Sequence, residues 1–155
     1  MSWDIYLSAH QDGEMHHFPL SVVLHAFGPA ITYNQINETT CTLILEYANP
    51  DAEKYGMSPV RDVEINMDII IAGDEIMTGG FCVNRPPSHD AFWESLYVVI
   101  SHAQAVLYWG ADEGEQCMAI GRAETERHLP QGMRDALGDP VLVKGYEDIL
   151  ALIKS

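Results

Sequence analysis

Hydrophobic and polar residues alternate cleanly over residues 60–71. Val63, Ile65, Met67, Ile69 and Ile71 fall on one side, and Asp62, Glu64, Asn66 and Asp68 on the other. A period of two is that of a half-buried β-strand. Gly73-Asp74 turns the chain back into a second apolar run over residues 76–83. Together they predict an antiparallel pair with one dry face and one wet face. Gly79-Gly80 inside that run suits a bulge or a close approach of two backbones.

Pro86-Pro87 ends the strand, because proline cannot donate to a ladder and biases its predecessor toward extended geometry. A helix is predicted over residues 88–103, with Ser88 as N-cap and Asp90 complementing the helix dipole. Phe92, Trp93, Leu96, Val99, Ile100 and Ala103 recur at helical spacing and give one wide apolar face. Residues 105–109 (AVLYW) follow as a short apolar strand closed by Gly110. A helix this apolar needs a sheet to lie on, so the rest of the chain is expected to supply one.

Elsewhere the same patterns give shorter elements. Trp3, Ile5, Leu7 and Ala9 alternate on a first strand, Asp12-Gly13 is a two-residue hairpin signal, and residues 14–18 form the return. Residues 20–27 form a helix with Val22, Val23, Ala26 and Phe27 inward, stopped by Gly28 as a left-handed cap and by Pro29. Residues 39–48 read as a strand, and 49–59, with two prolines and a glycine, as a surface loop. Residues 111–115 make an acidic turn, and residues 116–120 a strand. Two helical pieces, 124–129 and 131–137, are interrupted by Pro130, and Gly138 caps the second. A buried strand at 141–143 and a helix at 146–154, with Ile149, Leu150 and Ile153 inward, complete the order. This order predicts one α+β domain over residues 1–155, a mainly antiparallel mixed sheet with helices packed against it.

Charge changes the picture more than size does. The chain has 23 acidic residues against 8 basic ones, a net charge of -15. Residues 1–53 contain no Lys or Arg, and between Asp62 and Gly121 Arg85 is the only one. Such a field repels nucleic acid and anionic membranes and suits a basic protein partner. Acidity also serves solubility alone, and that remains the plain alternative. Cys41, Cys82 and Cys117 are widely spaced and form no CxxC pair, which argues for reduced thiols and against a disulfide framework or a zinc ribbon. Residues 1–11 lack the basic and apolar regions of a signal peptide, and no apolar run reaches membrane-spanning length. A cytoplasmic protein is expected.

Candidate chemistry is sparse. His10, Asp12, Glu14, His16 and His17 cluster at the first hairpin, but His16 and His17 point to opposite faces of a strand and no HExxH pattern occurs. The Asp62, Glu64, Asn66, Asp68 row superficially matches a calcium loop. It fails at Met67, where the sharp turn needs glycine, and at Gly73, where a bidentate glutamate belongs. On a strand its members lie about 7 Å apart, either as a solvated face or as a face for a basic partner. The acidic turn with Asp112, Glu113 and Glu115 is a second candidate face. Arg85, at a strand end before Pro86-Pro87, is expected to hold a salt bridge, an acidic loop or an anion. No GxSxG, catalytic-cysteine motif or Gly-rich phosphate loop is present. No cofactor is implied, and the reading is of a protein that is not an enzyme.

The WDIYLS start, the GGFCVNRPP stretch leading to Phe92-Trp93, the VLYW strand and the HLPQGMRDALGDPVLV tail resemble small bacterial immunity proteins of contact-dependent and type VI secretion toxin systems. That resemblance implies a cytoplasmic antitoxin that binds a cognate toxin and occludes its active site. Charge places the partner-binding residues at Asp62, Glu64, Asp68, Asp112, Glu113, Glu115 and Arg85. The alternatives are a small enzyme or metal-binding protein using His10, His16 and His17, or a regulatory module holding a small ligand between sheet and helices.

Overall fold

The computed structural model describes residues 3–112 and 114–154. Three helices share one apolar core: α1 (Leu20–Phe27), α3 (Asp90–His102) and α5 (Tyr146–Lys154). The face predicted for α3 is the buried one, with Phe92, Trp93, Leu96, Val99 and Ile100 inward. Helix α3 packs against both α1 and α5. Phe27 of α1 lies 5.9 Å from the Phe92 ring, and Trp93 stacks on Trp3 with centroids 6.0 Å apart. Burying Trp93 leaves its indole N–H in need of an acceptor, and the Pro87 carbonyl takes it at 2.9 Å. The helix starts later than Ser88. His89 is its N-cap without a side-chain cap bond, and its Nε2 lies 2.9 Å from the Asn49 side-chain oxygen.

Among the described residues the strands form two sheets, not one. The first is built on β1 (Asp4–Gln11). It pairs antiparallel with β8 (Gly80–Asn84) on one side and with β9 (Ala105–Trp109) on the other. Strand β10 (Met118–Ile120) adds to β9, and β11 (Val141–Leu142) joins β10 in parallel. The Asp12-Gly13 hairpin forms as expected, with φ of 52° and 81°, but its return strand β2 is only Glu14–Met15. The second sheet has the order β3 (Phe18–Pro19), β7 (Glu75–Thr78), β6 (Val60–Ala72), β5 (Thr40–Ala48), β4 (Ile31–Ile36). All its pairings are antiparallel. The α+β architecture with mainly antiparallel strands stands; the strands are divided between two sheets.

The division is made at Gly79-Gly80. The predicted strand 76–83 is two strands, β7 in the second sheet and β8 in the first. Gly80 has φ +135°, and a Cβ there would sit 1.9 Å from the Leu7 carbonyl oxygen. Only glycine permits both the conformation and that approach. Thr78, fully buried, braces the corner: its hydroxyl donates to the Asp68 carbonyl at 3.1 Å and receives the Gly80 N–H at 3.3 Å.

Several other expectations are corrected. Strand β4 escapes the alternation rule because all but Ile31 of its residues are exposed; it is an edge strand with no side to bury. Gly28 is right-handed, φ -37°, and begins a 3₁₀ turn, Gly28–Ala30, instead of a left-handed cap. A short helix α2 (Ala52–Tyr55) lies within the 49–59 loop, ended by Gly56 at φ 63°. Ile71 points outward, 62 % exposed, because β6 outruns the core there. Residues Ala123–His128 are 3₁₀ in form, followed by α4 (Gln131–Leu137).

The dry faces of both sheets meet the three helices in one continuous core. Among the described residues, the far face of the first sheet is covered at its β9–β10 end. There Val106, Met118 and Ile120 pack with Leu129, Met133 and Leu137. Toward β1 and β8 that face is left open. No helix among the described residues is long and apolar enough to cross a membrane.

Candidate partner-binding face

The wet face of β6 is where the alternation placed it. Asp62, Glu64, Asn66 and Asp68 are exposed while Val63, Ile65, Met67 and Ile69 are buried. Strand register adds a residue that the sequence pattern did not single out: Glu46 of β5 lies directly opposite Asp62 and is exposed. Glu64 faces Ile44 and Asp68 faces Thr40. Asn66 accepts a hydrogen bond from the Thr42 hydroxyl at 2.8 Å. Among the described residues, none of the side chains of Glu46, Asp62, Glu64 and Asp68 takes part in an ion pair or hydrogen bond.

Among the described residues, Arg61 and Arg85 stand at one end of this row. Arg85 adopts a left-handed conformation, φ 49°, and its N–H donates to the Trp3 carbonyl at 2.9 Å. Its carbonyl accepts from the Arg61 guanidinium, which also reaches the Asp62 carbonyl. The expected salt bridge of Arg85 does not form among the described residues; its side chain is exposed.

Opposite β6 lies the uncovered part of the first sheet. Tyr6 of β1 pairs in register with Cys82 on one side and Tyr108 on the other. The Tyr6 and Tyr108 rings stack with centroids 5.2 Å apart and planes 20° apart. Between these tyrosines and the Thr42, Asn66 and Asp68 side of β5–β6 is a groove of about 620 Å³, floored where Gly79-Gly80 carries the chain from sheet to sheet. A second cleft of about 350 Å³, lined by Arg61, Asp62, Glu64 and Asn84, continues it; the two share Asn66 and Cys82. The charge of the neighbouring Cys82 pushes the Tyr6 hydroxyl above its usual range, with burial, Asp4 and Tyr108 adding to it. Burial, then Asp4, pushes up the Cys82 thiol. Both groups therefore stay protonated at neutral pH, and Cys82 makes a poor nucleophile. Tyr6, Tyr108 and Glu46 were not legible as neighbours of the acidic row, because only long-range strand pairing joins them to it.

The second predicted patch is a separate place. Asp112 and Glu115 are exposed and line a cleft of about 370 Å³ with Asp139; it shares no residue with the β6 groove. Glu113 lies outside the described residues. The structure thus brings Asp62, Glu64 and Asp68 together, leaves Arg85 at their end, and sets the 111–115 turn apart.

The histidines do not converge. His10 is 6 % exposed, its Nε2 is 2.8 Å from the Ser8 hydroxyl, and burial lowers its pKa. It pairs in register with Met15 rather than with His16, and His16 is exposed while His17 is half-buried at the groove. Among the described residues no group of three His, Cys, Asp or Glu side chains is placed to hold a metal ion. Sequence reasoning passed over His128, which is buried and accepts the Asp12 N–H at Nδ1, 3.1 Å away, tying the first hairpin to the 3₁₀ segment.

No family model, curated protein or solved structure matches the chain.

Proposed function

We propose that this chain is an immunity protein, a cytoplasmic antitoxin that binds a cognate bacterial toxin and occludes its active site with the open face of β5–β6. The observation that carries this reading is the row Glu46, Asp62, Glu64 and Asp68, exposed and without a side-chain partner among the described residues. A fold gains nothing from such a row, since like charges on one strand face repel. A basic partner would relieve the repulsion. Toxins that act on nucleic acids or nucleotides need cationic clefts to hold phosphate, and a carboxylate-rich surface can fill one. Complementary charge also raises association rates, to about 10⁸–10⁹ M⁻¹s⁻¹ at low salt. The net charge of -15 supports a protein partner over nucleic acid.

The test is capture of the neighbouring gene's product, followed by association kinetics. The Asp62→Lys, Glu64→Lys double variant is expected to fold normally, associate more slowly and lose salt dependence. Binding as fast as wild type would move the interface elsewhere, and the Asp112→Lys, Glu113→Lys pair then tests the acidic turn. Failure to capture any protein partner would remove the antitoxin reading itself.

A further inference from the structure

The open face is a channel and not a flat patch. Its two clefts meet at Asn66 and Cys82, so together they follow the outward side of β6. One wall presents Asp62, Glu64 and Asp68. Strand residues two apart recur about every 7 Å, so Asp62 and Glu64 are one repeat apart and Asp68 lies two repeats further on. The other wall presents the stacked rings of Tyr6 and Tyr108. An extended peptide carries its own alternate side chains at that same repeat. Cations on those side chains would therefore fall into step with the carboxylates. The faces of tyrosine rings attract guanidinium and ammonium groups as well. A groove of about 620 Å³ is within the range of sites that enclose a ligand of several residues' bulk. Arg61 stands at the Asp62 end, where its guanidinium is held by the Arg85 and Asp62 carbonyls, and limits the run of carboxylates there.

We propose that this channel receives an extended basic segment of the toxin, with arginine or lysine spaced two and then four residues apart to face Asp62, Glu64 and Asp68, and with one cation resting on the Tyr6 ring. The proposal rests on the antitoxin reading and names the part of the toxin that is held. Charge complementarity selects the occupant: among the described residues the channel's carboxylates have no side-chain partners, and the aromatic wall suits a cation that keeps a flat or compact apolar stem against it.

The test needs no toxin. The whole chain is titrated calorimetrically with the acetylated, amidated peptide Arg-Thr-Arg-Thr-Thr-Thr-Arg, whose arginines match the spacing of Asp62, Glu64 and Asp68, with its isomer Arg-Arg-Arg-Thr-Thr-Thr-Thr of equal charge, with the citrulline analogue of the first, and with spermine. The spaced peptide is expected to bind several-fold more tightly than the block isomer, and the citrulline peptide not measurably. Tyr6→Leu should weaken the spaced peptide by roughly two- to fivefold. Glu64→Lys should remove its binding, while Glu53→Lys, an equal charge change outside both clefts, should leave it within twofold. Equal binding of the two isomers, tighter binding of spermine, no binding at all, or equal loss in Glu64→Lys and Glu53→Lys would each overturn the proposal. In those cases the antitoxin reading survives if the captured toxin still binds wild type, so the two failures are separable.

Discussion

Glu46 of β5 stands directly across the ladder from Asp62 of β6, with both carboxylates exposed and no side-chain cation paired to either among the described residues. Like charges directly opposite on adjacent strands are destabilising. Glu46→Gln is therefore expected to raise stability by about 0.2–1 kcal/mol. Urea melts at low and high salt check this, because the gain should shrink as salt screens the pair. A loss of stability would mean that Glu46 serves the fold and needs no partner to relieve it.

Leu96 is fully buried on the face by which α3 meets the sheets. Leu96→Ala should cost about 2–5 kcal/mol, through lost transfer energy and the cavity left behind. A loss below about half a kcal/mol in denaturant melts would be incompatible with this packing.

Gly80→Ala is expected to be among the most damaging single substitutions. The added Cβ meets the Leu7 carbonyl at 1.9 Å in a conformation that L-residues rarely adopt. Backbone strain alone costs about 1–3 kcal/mol, before the clash between β1 and β8 is counted. Gly110→Ala is the matched control, because its Cβ would meet nothing within 4 Å and its φ is not in the left-handed range; it should stay within about half a kcal/mol. Circular dichroism melts of the two variants make the comparison.

His10 is buried, and burial lowers its pKa from the ordinary value of 6.5. The unfolded chain then binds a proton more readily than the folded one, so stability falls as pH drops through 6.5 toward the depressed folded value. Above that window the contribution is complete. Melts at pH 7.5, 6.5 and 5.5 should show a decline in wild type that is smaller in His10→Gln. Identical pH profiles would show that His10 keeps its ordinary affinity for protons in the fold.

The strands and helices with one buried side were legible because alternation or helical spacing records burial directly, as on β6 and α3. Strand β4 was not, since its residues from Thr32 to Ile36 are exposed and leave no periodic trace. Residues 76–83 read as one strand because the apolar run continues through Gly79-Gly80; the change of sheet is set by the contact of Gly80 with Leu7, some seventy residues earlier. The acidic half of the channel was visible as a row of carboxylates. Its aromatic half was not, because Tyr6 and Tyr108 become neighbours only through the antiparallel register of β1 and β9.

Strand β4 ends its sheet with the sequence ITYNQI, which carries neither charge nor proline. Proteins commonly guard such a border with lysine, proline or a bulge; here an irregular register between Ile31 and Tyr33 is the guard within the strand. Colloidal repulsion from the net charge of -15 is expected to oppose border-to-border joining of copies of the chain. That repulsion fades as the solution approaches the isoelectric point near pH 4.5. Light scattering should then report association at that pH, and Thr32→Lys with Asn34→Lys should delay its onset. The acidity for which we propose a cationic partner would thus also serve as the molecule's dispersant.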